Sequence, residues 1–466
     1  MTSKQFSQLT NDQHSAIGFL CPRDNAGLWA DVGTGKTVAA LTAAKRLIDE
    51  FAVRRVLVVG PRLVAERVWG AEVDEWSHLH GLRVSKIIGT AAQRLAAMAV
   101  DADIYTITRD NVVWLEGQFI RWEGLIKAQY RKWPWDLVIL DESQSFKSQS
   151  SQRFKAMRRL RRLFPRCWLL TGSLMPNGYR DLWSQLFLLD GGERLGKSEN
   201  HYLATFFTKE VNDGIPSFTL KEDSPAKIDA LIADIFFVMR DAQPPAPSNF
   251  IKVTLSKAER ANYSKMVRTS VLSFGDREIS AVNAGVLWGK LLQMANGAVY
   301  DTDHKWHEIH SRKLDALWEL LESLPKPVII GYGFIHDVER IFASFPKSLG
   351  RCAVLRTGKS LDRWRRGEID IGVMHPASAG HGLNDLYLSG AENLVWFGLT
   401  PNREFHDQLN GRLTGGHRRT GRKVCIHYIV SEGTVDDDAQ DMLTFKGDQQ
   451  TAAQIRVAQR MQKELA

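Results

Sequence analysis

Two short clusters in this chain combine residue types and spacing that suit phosphate chemistry. The first is LWADVGTGKT, Leu28–Thr37, where a short apolar run leads into Gly33, Thr34, Gly35, Lys36 and Thr37 and a helical pattern follows. Phosphate oxygens need inward-pointing backbone N–H groups, which glycines at a turn permit. They also need a cation, here Lys36, and a hydroxyl to hold Mg²⁺, here Thr37. Ala30 stands where the general phosphate-loop pattern has its first glycine. The second cluster is VILDES, Val138–Ser143, an apolar strand ending in Asp141 and Glu142. Parallel α/β sheets bind ligands at the carboxyl ends of their strands. Asp141 is therefore placed to hold Mg²⁺ through its water shell, and Glu142 to orient and deprotonate an attacking water. Alone, an acidic pair after a strand is an ordinary solvated turn; the upstream glycine–lysine cluster favours reading it as a catalytic pair beside bound phosphate and Mg²⁺.

These residues need a sheet to hold them. RRVLVVG from Arg54, ADIYTIT from Ala102, DLVILDE from Asp136 and RCWLLTG from Arg166 read as buried strands, with helical stretches such as VAALTAAKRLIDEF between them. That alternation predicts a parallel sheet covered on both faces. GGERLGKSENHYLATFF and KIDALIADIFFVMRD read as helical, and the prolines of DAQPPAPSNF mark a connector. After Pro327 the alternation returns in PVIIGYG, RCAVLR, DIGVMH, NLVWFG and VCIHYIV. The expected fold class is α/β: two parallel-sheet lobes with helical insertions. The expected division is 1–190 for the first lobe, 191–249 for a helical insertion and connector, 250–325 for the start of the second lobe with its insertion, 326–446 for the rest of that lobe, and 447–466 for a helical tail.

Composition narrows the class. The chain has 466 residues, ample for roughly three domains of about 150 residues each. Lys and Arg number 61 against 53 Asp and Glu, a net charge of +8 that permits nucleic-acid binding without requiring it. No uninterrupted apolar run approaches the ~18 residues of a membrane span. MTSKQFSQLTNDQ lacks a basic-then-apolar pattern, so no secretory leader is expected. Cys21, Cys167, Cys352 and Cys425 are far apart and show no ligand spacing, which fits a reducing cytoplasm, that of a bacterium or of a host cell if the protein is viral.

The motifs together resemble those of superfamily 2 helicases, and within them the Swi/Snf-like DNA-dependent ATPases. ADVGTGKT resembles the first motif of that branch, VVGPRLVAERVWGAEVDEW the next, and DESQSFK the acidic motif with its branch-typical lysine, here Lys147. LLTGSLMPNGYRDLWSQLFLL from Leu169 resembles the third motif region, and LSKAERANY from Leu255 the start of the second lobe. SAGHGLNDLYLSGAENLVWF from Ser378 and QLNGRLTGGHRRTGRKVCIHYIVSEGTVDD from Gln408 resemble the fifth and sixth motifs. The matches run in order from Gln13 to Asp438. The chain departs from the pattern where Ser143 and Gln144 replace the usual Ala and His, where Ser173 replaces Thr, and where Gly415 and Gly416 lengthen the sixth motif.

The resemblance implies RecA-like lobes and a set of roles. Gln13 reads adenine through its amide. Gly33, Thr34, Gly35, Lys36 and Thr37 hold the nucleotide, Thr37 and Asp141 hold Mg²⁺, and Lys36, Asp141 and Glu142 are catalytic. Arg412 and Arg419, with Arg418 as the rival of Arg419, are second-lobe guanidinium groups that can stabilise charge developing on the γ-phosphate. Gln144, Thr171, Gly172 and Ser173 couple hydrolysis to movement. Arg62, Thr108, Arg109 and Lys147 on the first lobe, and Ser378, Gly380 and Gly382 on the second, follow motifs that contact nucleic-acid backbone.

Other features read more plainly. RFKAMRRLRRLFPR, Arg153–Arg166, carries seven basic residues and no acid; it is either a DNA-facing helix or a solvated face. Among the tryptophans, Trp76, Trp168, Trp183, Trp318 and Trp396 read as core, while Trp133 and Trp135 are open to either core packing or base stacking. His304, His307 and His310 read as an exposed loop or helix start. The expected function is an ATP-driven motor on duplex DNA, compact and of phage or bacterial type, a monomer with no membrane partner. It would act in replication, recombination or repair, with proteins of those pathways as partners. The alternatives are a strand-separating DNA or RNA helicase and a non-catalytic DNA-binding or scaffold protein.

Overall fold

Runs of Val, Ile and Leu build two parallel sheets in the computed structural model of the chain. The structure describes residues 3–123, 127–212, 215–240, 246–269, 271–274, 277–280, 284–356, 358–379, 386–400, 402–418 and 422–443. The chain divides into two compact units, one within residues 1–242 and the other within 243–445.

The seven strands of the first unit lie in the order Phe236–Met239, Asn25–Ala30, Arg166–Thr171, Leu137–Asp141, Val56–Gly60, Ile104–Thr108 and Val84–Ile87, all parallel. Alternate side chains go to opposite faces. Leu57, Val59, Val138 and Leu140 join a core with Trp135, Phe154 and Trp183. Val56, Val58, Leu137 and Ile139 join another with Ala39, Ala40 and Leu47 of the Lys36–Asp49 helix, and with Trp69. Burial on both faces explains why the strands lack polar alternation.

One expectation fails here. KIDALIADIFFVMRD is a helix only over Ser224–Ile232; Phe236–Met239 is an edge strand of the first sheet. It pairs with Asn25–Ala30 in register Gly27↔Phe236, and a Cβ on Gly27 would strike the Phe236 ring. A glycine opposite a large aromatic lets the strand close against its neighbour.

The second unit holds six parallel strands in the order Ser248–Val253, Cys425–Ser431, Asn393–Trp396, Val328–Gly331, Ile371–Met374 and Cys352–Val354. The Arg403–Arg418 helix runs without a break through Gly415 and Gly416, so the lengthened sixth motif is accommodated as helix. The histidine cluster also departs from expectation. Ala298–Tyr300 and Trp306–Glu308 form a hairpin in which His307 pairs with Asp301 at 2.8 Å, and His310 beyond it is buried. The helical tail read from Gln449 lies outside the described residues.

Candidate active site

The phosphate-loop residues leave the carboxyl end of Asn25–Ala30 and enter the Lys36–Asp49 helix. Gly33 and Gly35 have φ of 89° and 84°, which a side chain would resist. Thr34 closes the turn, its N–H and hydroxyl donating to Asp31 O at 3.2 and 2.7 Å. Gln13 is buried beside the loop: its Nε2 donates to Thr34 O at 2.9 Å and its Oε1 accepts from Thr10 N at 2.9 Å. The amide assigned to adenine thus braces the loop itself in this arrangement.

Asp141 ends the Leu137–Asp141 strand, and Glu142 follows in the left-handed region at φ 53°, an uncommon conformation for a non-glycine residue. The turn carries Glu142 to Lys36, whose Nζ lies 2.7 Å from Glu142 Oε1. The other oxygen, Oε2, accepts from Gln144 Nε2 at 2.7 Å, and Gln144 Oε1 accepts from Thr171 Oγ1 at 2.7 Å. Thr171 Oγ1 in turn accepts from Ser173 N at 3.0 Å. A continuous chain therefore links the loop lysine, the general-base candidate and the third motif across the ends of three adjacent strands. Gly172 lies within it, where a Cβ would meet only ordinary contacts with Val32 and Ala30. Ser143, in place of Ala, donates to Gln185 Oε1 at 2.8 Å.

The donors fit a divalent cation. Asp141 is 2% exposed, and burial pushes its carboxyl up to about 6 although Lys36 opposes the shift. One lysine faces two buried carboxyl groups, so a cation held by Asp141 and the Thr37 hydroxyl would balance the charge. Mg²⁺ commonly takes one or two protein oxygens and completes its shell with phosphate and water.

The first-unit nucleic-acid candidates line the same carboxyl edge of the sheet. Arg62 follows Val56–Gly60, is 75% exposed and pairs with Glu66 at 2.7 Å. Thr108 ends its strand and is buried, Arg109 next to it is half-buried, and half-buried Lys147 accepts from Ser184 Oγ at 2.8 Å through its carbonyl. In the second unit, Ser378 lies just beyond the carboxyl end of Ile371–Met374, and Arg412 is half-buried on the Arg403–Arg418 helix. Gly380, Gly382 and Arg419 lie outside the described residues.

The basic run Arg153–Arg166 is divided: Lys155, Arg158 and Arg162 are exposed, and Arg153, Arg159, Arg161 and Arg166 are half-buried. Arg159 pairs bidentately with Glu116, Arg161 donates to Asn25 Oδ1 and Leu189 O, Arg166 pairs with Asp24, and Arg158 stacks on Phe187. Arg159 ties the Gln152–Leu160 helix to the domain, and Arg161 and Arg166 tie the segment that follows it. Trp133 and Trp135 also resolve as core: their rings meet edge-on 4.9 Å apart and pack with Phe119, and Trp135 is fully buried. One residue of the second motif gains a partner that its sequence context does not announce. Trp69 donates its indole N–H to Asp141 Oδ2 at 3.0 Å, and no local spacing announces a partner 72 residues away.

Comparison with known proteins agrees with the motifs. Residues 12–294 match the family described as SNF2-related domain. Protein p41 of Acyrthosiphon pisum secondary endosymbiont phage 1 is 34% identical over 450 residues, spanning 91% of this chain and 93% of that protein. DNA excision repair protein ERCC-6-like of Mus musculus is 27% identical over 201 residues, 41% of this chain but only 15% of the mouse protein. A solved Sulfolobus solfataricus SWI2/SNF2 ATPase core in complex with dsDNA aligns with 98% of this chain and 96% of its own at 17% identity and a TM-score of 0.44. With more than half of its length matched by that family and a 34%-identical relative spanning 91% of it, this chain belongs to the SNF2-related family of DNA-dependent ATPases.

Proposed function

We propose that the protein is an ATP-driven motor that moves along duplex DNA. The observation that carries this reading is the chain from Lys36 through Glu142 and Gln144 to Thr171, beside a buried Asp141. In this arrangement Lys36 is paired with Glu142. A triphosphate in the loop draws Lys36 to its oxygens and frees Glu142 to take a proton from the attacking water. Bound Mg²⁺ would neutralise charge on the phosphates, with Thr37 and Asp141 as its protein ligands. Gly33, Thr34 and Gly35 form the loop that wraps the phosphates, and Gln13 reads the adenine. Arg412, with Arg418 or Arg419, stabilises charge on the γ-phosphate. Gln144, Thr171, Gly172 and Ser173 pass the state of Glu142 to the third motif.

Arg62, Arg109 and Lys147, with Thr108 beneath them, and Ser378, Gly380 and Gly382 contact the DNA backbone. Such contacts carry affinity and little sequence information. No described helix is long and apolar enough to cross a membrane. The phage relative supports a phage or bacterial setting. In that setting the protein acts as a monomer in the cytoplasm of a bacterium, or of a host cell if it is viral, in replication, recombination or repair alongside proteins of those pathways.

ATP turnover measured with duplex DNA, single-stranded DNA, forked DNA and RNA tests the reading. The largest stimulation is expected from duplex, without separation of a tailed duplex. Efficient strand separation would favour the helicase alternative, and absence of hydrolysis with every nucleic acid would favour the scaffold.

A further inference from the structure

Each oxygen of Asp141 has one fixed donor. The Glu142 N–H reaches Oδ1 at 3.0 Å, and the Trp69 indole N–H reaches Oδ2 at 3.0 Å. Trp69 is fully buried. A buried indole N–H needs an acceptor, and a carboxylate is a strong one. The segment that delivers Trp69 is unusual. Val64–Val68 is a π turn, and Trp69–Glu75 continues as α-helix. A π turn holds an extra residue against the α ladder, so it rotates the succeeding residues by about 100° relative to an uninterrupted helix. The turn is fastened to the sheet, because Thr106, buried on the Ile104–Thr108 strand, donates its hydroxyl to Ala65 O at 2.7 Å. Such a donor stabilises a backbone carbonyl within loosened winding. The path from Thr106 through the π turn to Trp69 ends on the carboxylate that would hold Mg²⁺.

We infer that Trp69 is a positioning residue for the metal half of the site, orienting the Asp141 carboxylate for Mg²⁺, with Thr106 setting Trp69 in place through the π turn. The inference rests on the reading of Thr37 and Asp141 as the Mg²⁺ ligands. Trp69→Phe keeps most of the ring volume and removes the N–H; Thr106→Val removes the hydroxyl at nearly constant volume.

The full chain and its variants are titrated with a fluorescent ADP by anisotropy, without Mg²⁺ and across a Mg²⁺ series, with thermal melting alongside. Trp69→Phe leaves Mg²⁺-free nucleotide affinity unchanged. It raises the Mg²⁺ concentration for half of the affinity gain by about 10- to 100-fold, the usual effect of losing an outer partner of a metal ligand. Thr106→Val shifts it in the same direction by a smaller factor. A purely structural role would lower the melting temperature and leave the Mg²⁺ requirement unmoved. A folded Trp69→Phe variant with the wild-type requirement overturns the inference; if that variant does not fold, an unmoved requirement in Thr106→Val overturns it. Asp141→Asn separates the two levels: if it too leaves the Mg²⁺ response intact, the metal-site reading fails, and with it the ground of the inference.

Discussion

Gln144 is the joint of the proposed hydrolytic chain, and replacing it with leucine is a sharp perturbation. The residue is 1% exposed, so its amide has no ready water substitute. The substitution removes a charge-assisted bond to Glu142 Oε2 at 2.7 Å and the acceptor of Thr171 Oγ1 at 2.7 Å. A hydrogen bond to a charged group is worth about 1.5–3 kcal/mol, and each ~1.4 kcal/mol lost from the transition state is tenfold in rate. Gln144→Leu should therefore slow ATP turnover at saturating duplex DNA by about 10- to 150-fold, with KM for ATP little changed. Thr171→Val removes two neutral bonds, the one Thr171 donates to Gln144 and the one it accepts from Ser173 N; the link to Gln144, worth about 0.5–1.5 kcal/mol, should by itself slow turnover by about 2- to 10-fold. Because the two side chains belong to one chain, the double variant should be close to Gln144→Leu alone and not the product of the two effects. The assay is steady-state phosphate release for the four proteins of this cycle, each verified as folded by its melting transition. A folded Gln144→Leu variant within twofold of wild type, or two effects that simply multiply, would refute the reasoning.

Two further expectations concern the second unit. Lys313 and Asp436 form a fully buried pair at 2.6 Å, so Lys313→Ala leaves a buried carboxylate without its cation and should cost about 3–5 kcal/mol in urea unfolding. Burial lowers the His310 imidazole from its ordinary 6.5 to about 4, with Arg340 and Lys313 adding to the effect and Glu259 opposing it. The unfolded chain then binds the extra proton between those values. The stabilisation is complete above about pH 6.5 and is lost as pH falls toward 4, about 3 kcal/mol in all. Urea midpoints across that range should fall with pH, and His310→Leu should flatten the slope.

The inner strands of both sheets were legible because burial on both faces leaves apolar runs that no other element explains as well. Val84–Ile87 escaped: it is a four-residue edge strand whose Ser85 and Lys86 break the run. Phe236–Met239 escaped for the opposite reason, since IFFVM is apolar on every period and its neighbours are helical. At the candidate site, the Gly33–Thr37 and Asp141–Glu142 clusters stand out in the sequence because phosphate chemistry restricts the residue types and spacing within each. What spacing cannot convey is long-range partnership. Arg159 finds Glu116 43 residues earlier, which makes this one arginine of the basic run a structural tie. Trp69 finds Asp141 across the sheet edge only because the π turn aims it there.

The central claim is that the Gly33–Thr37 loop and the Asp141–Glu142 pair hydrolyse ATP in response to duplex DNA. The most direct measurement is ATP turnover by wild type and Lys36→Ala, each with and without duplex DNA. Duplex-stimulated turnover is expected in wild type, and none above background in a folded Lys36→Ala variant. Turnover that ignores DNA, or that survives in Lys36→Ala, would contradict the claim.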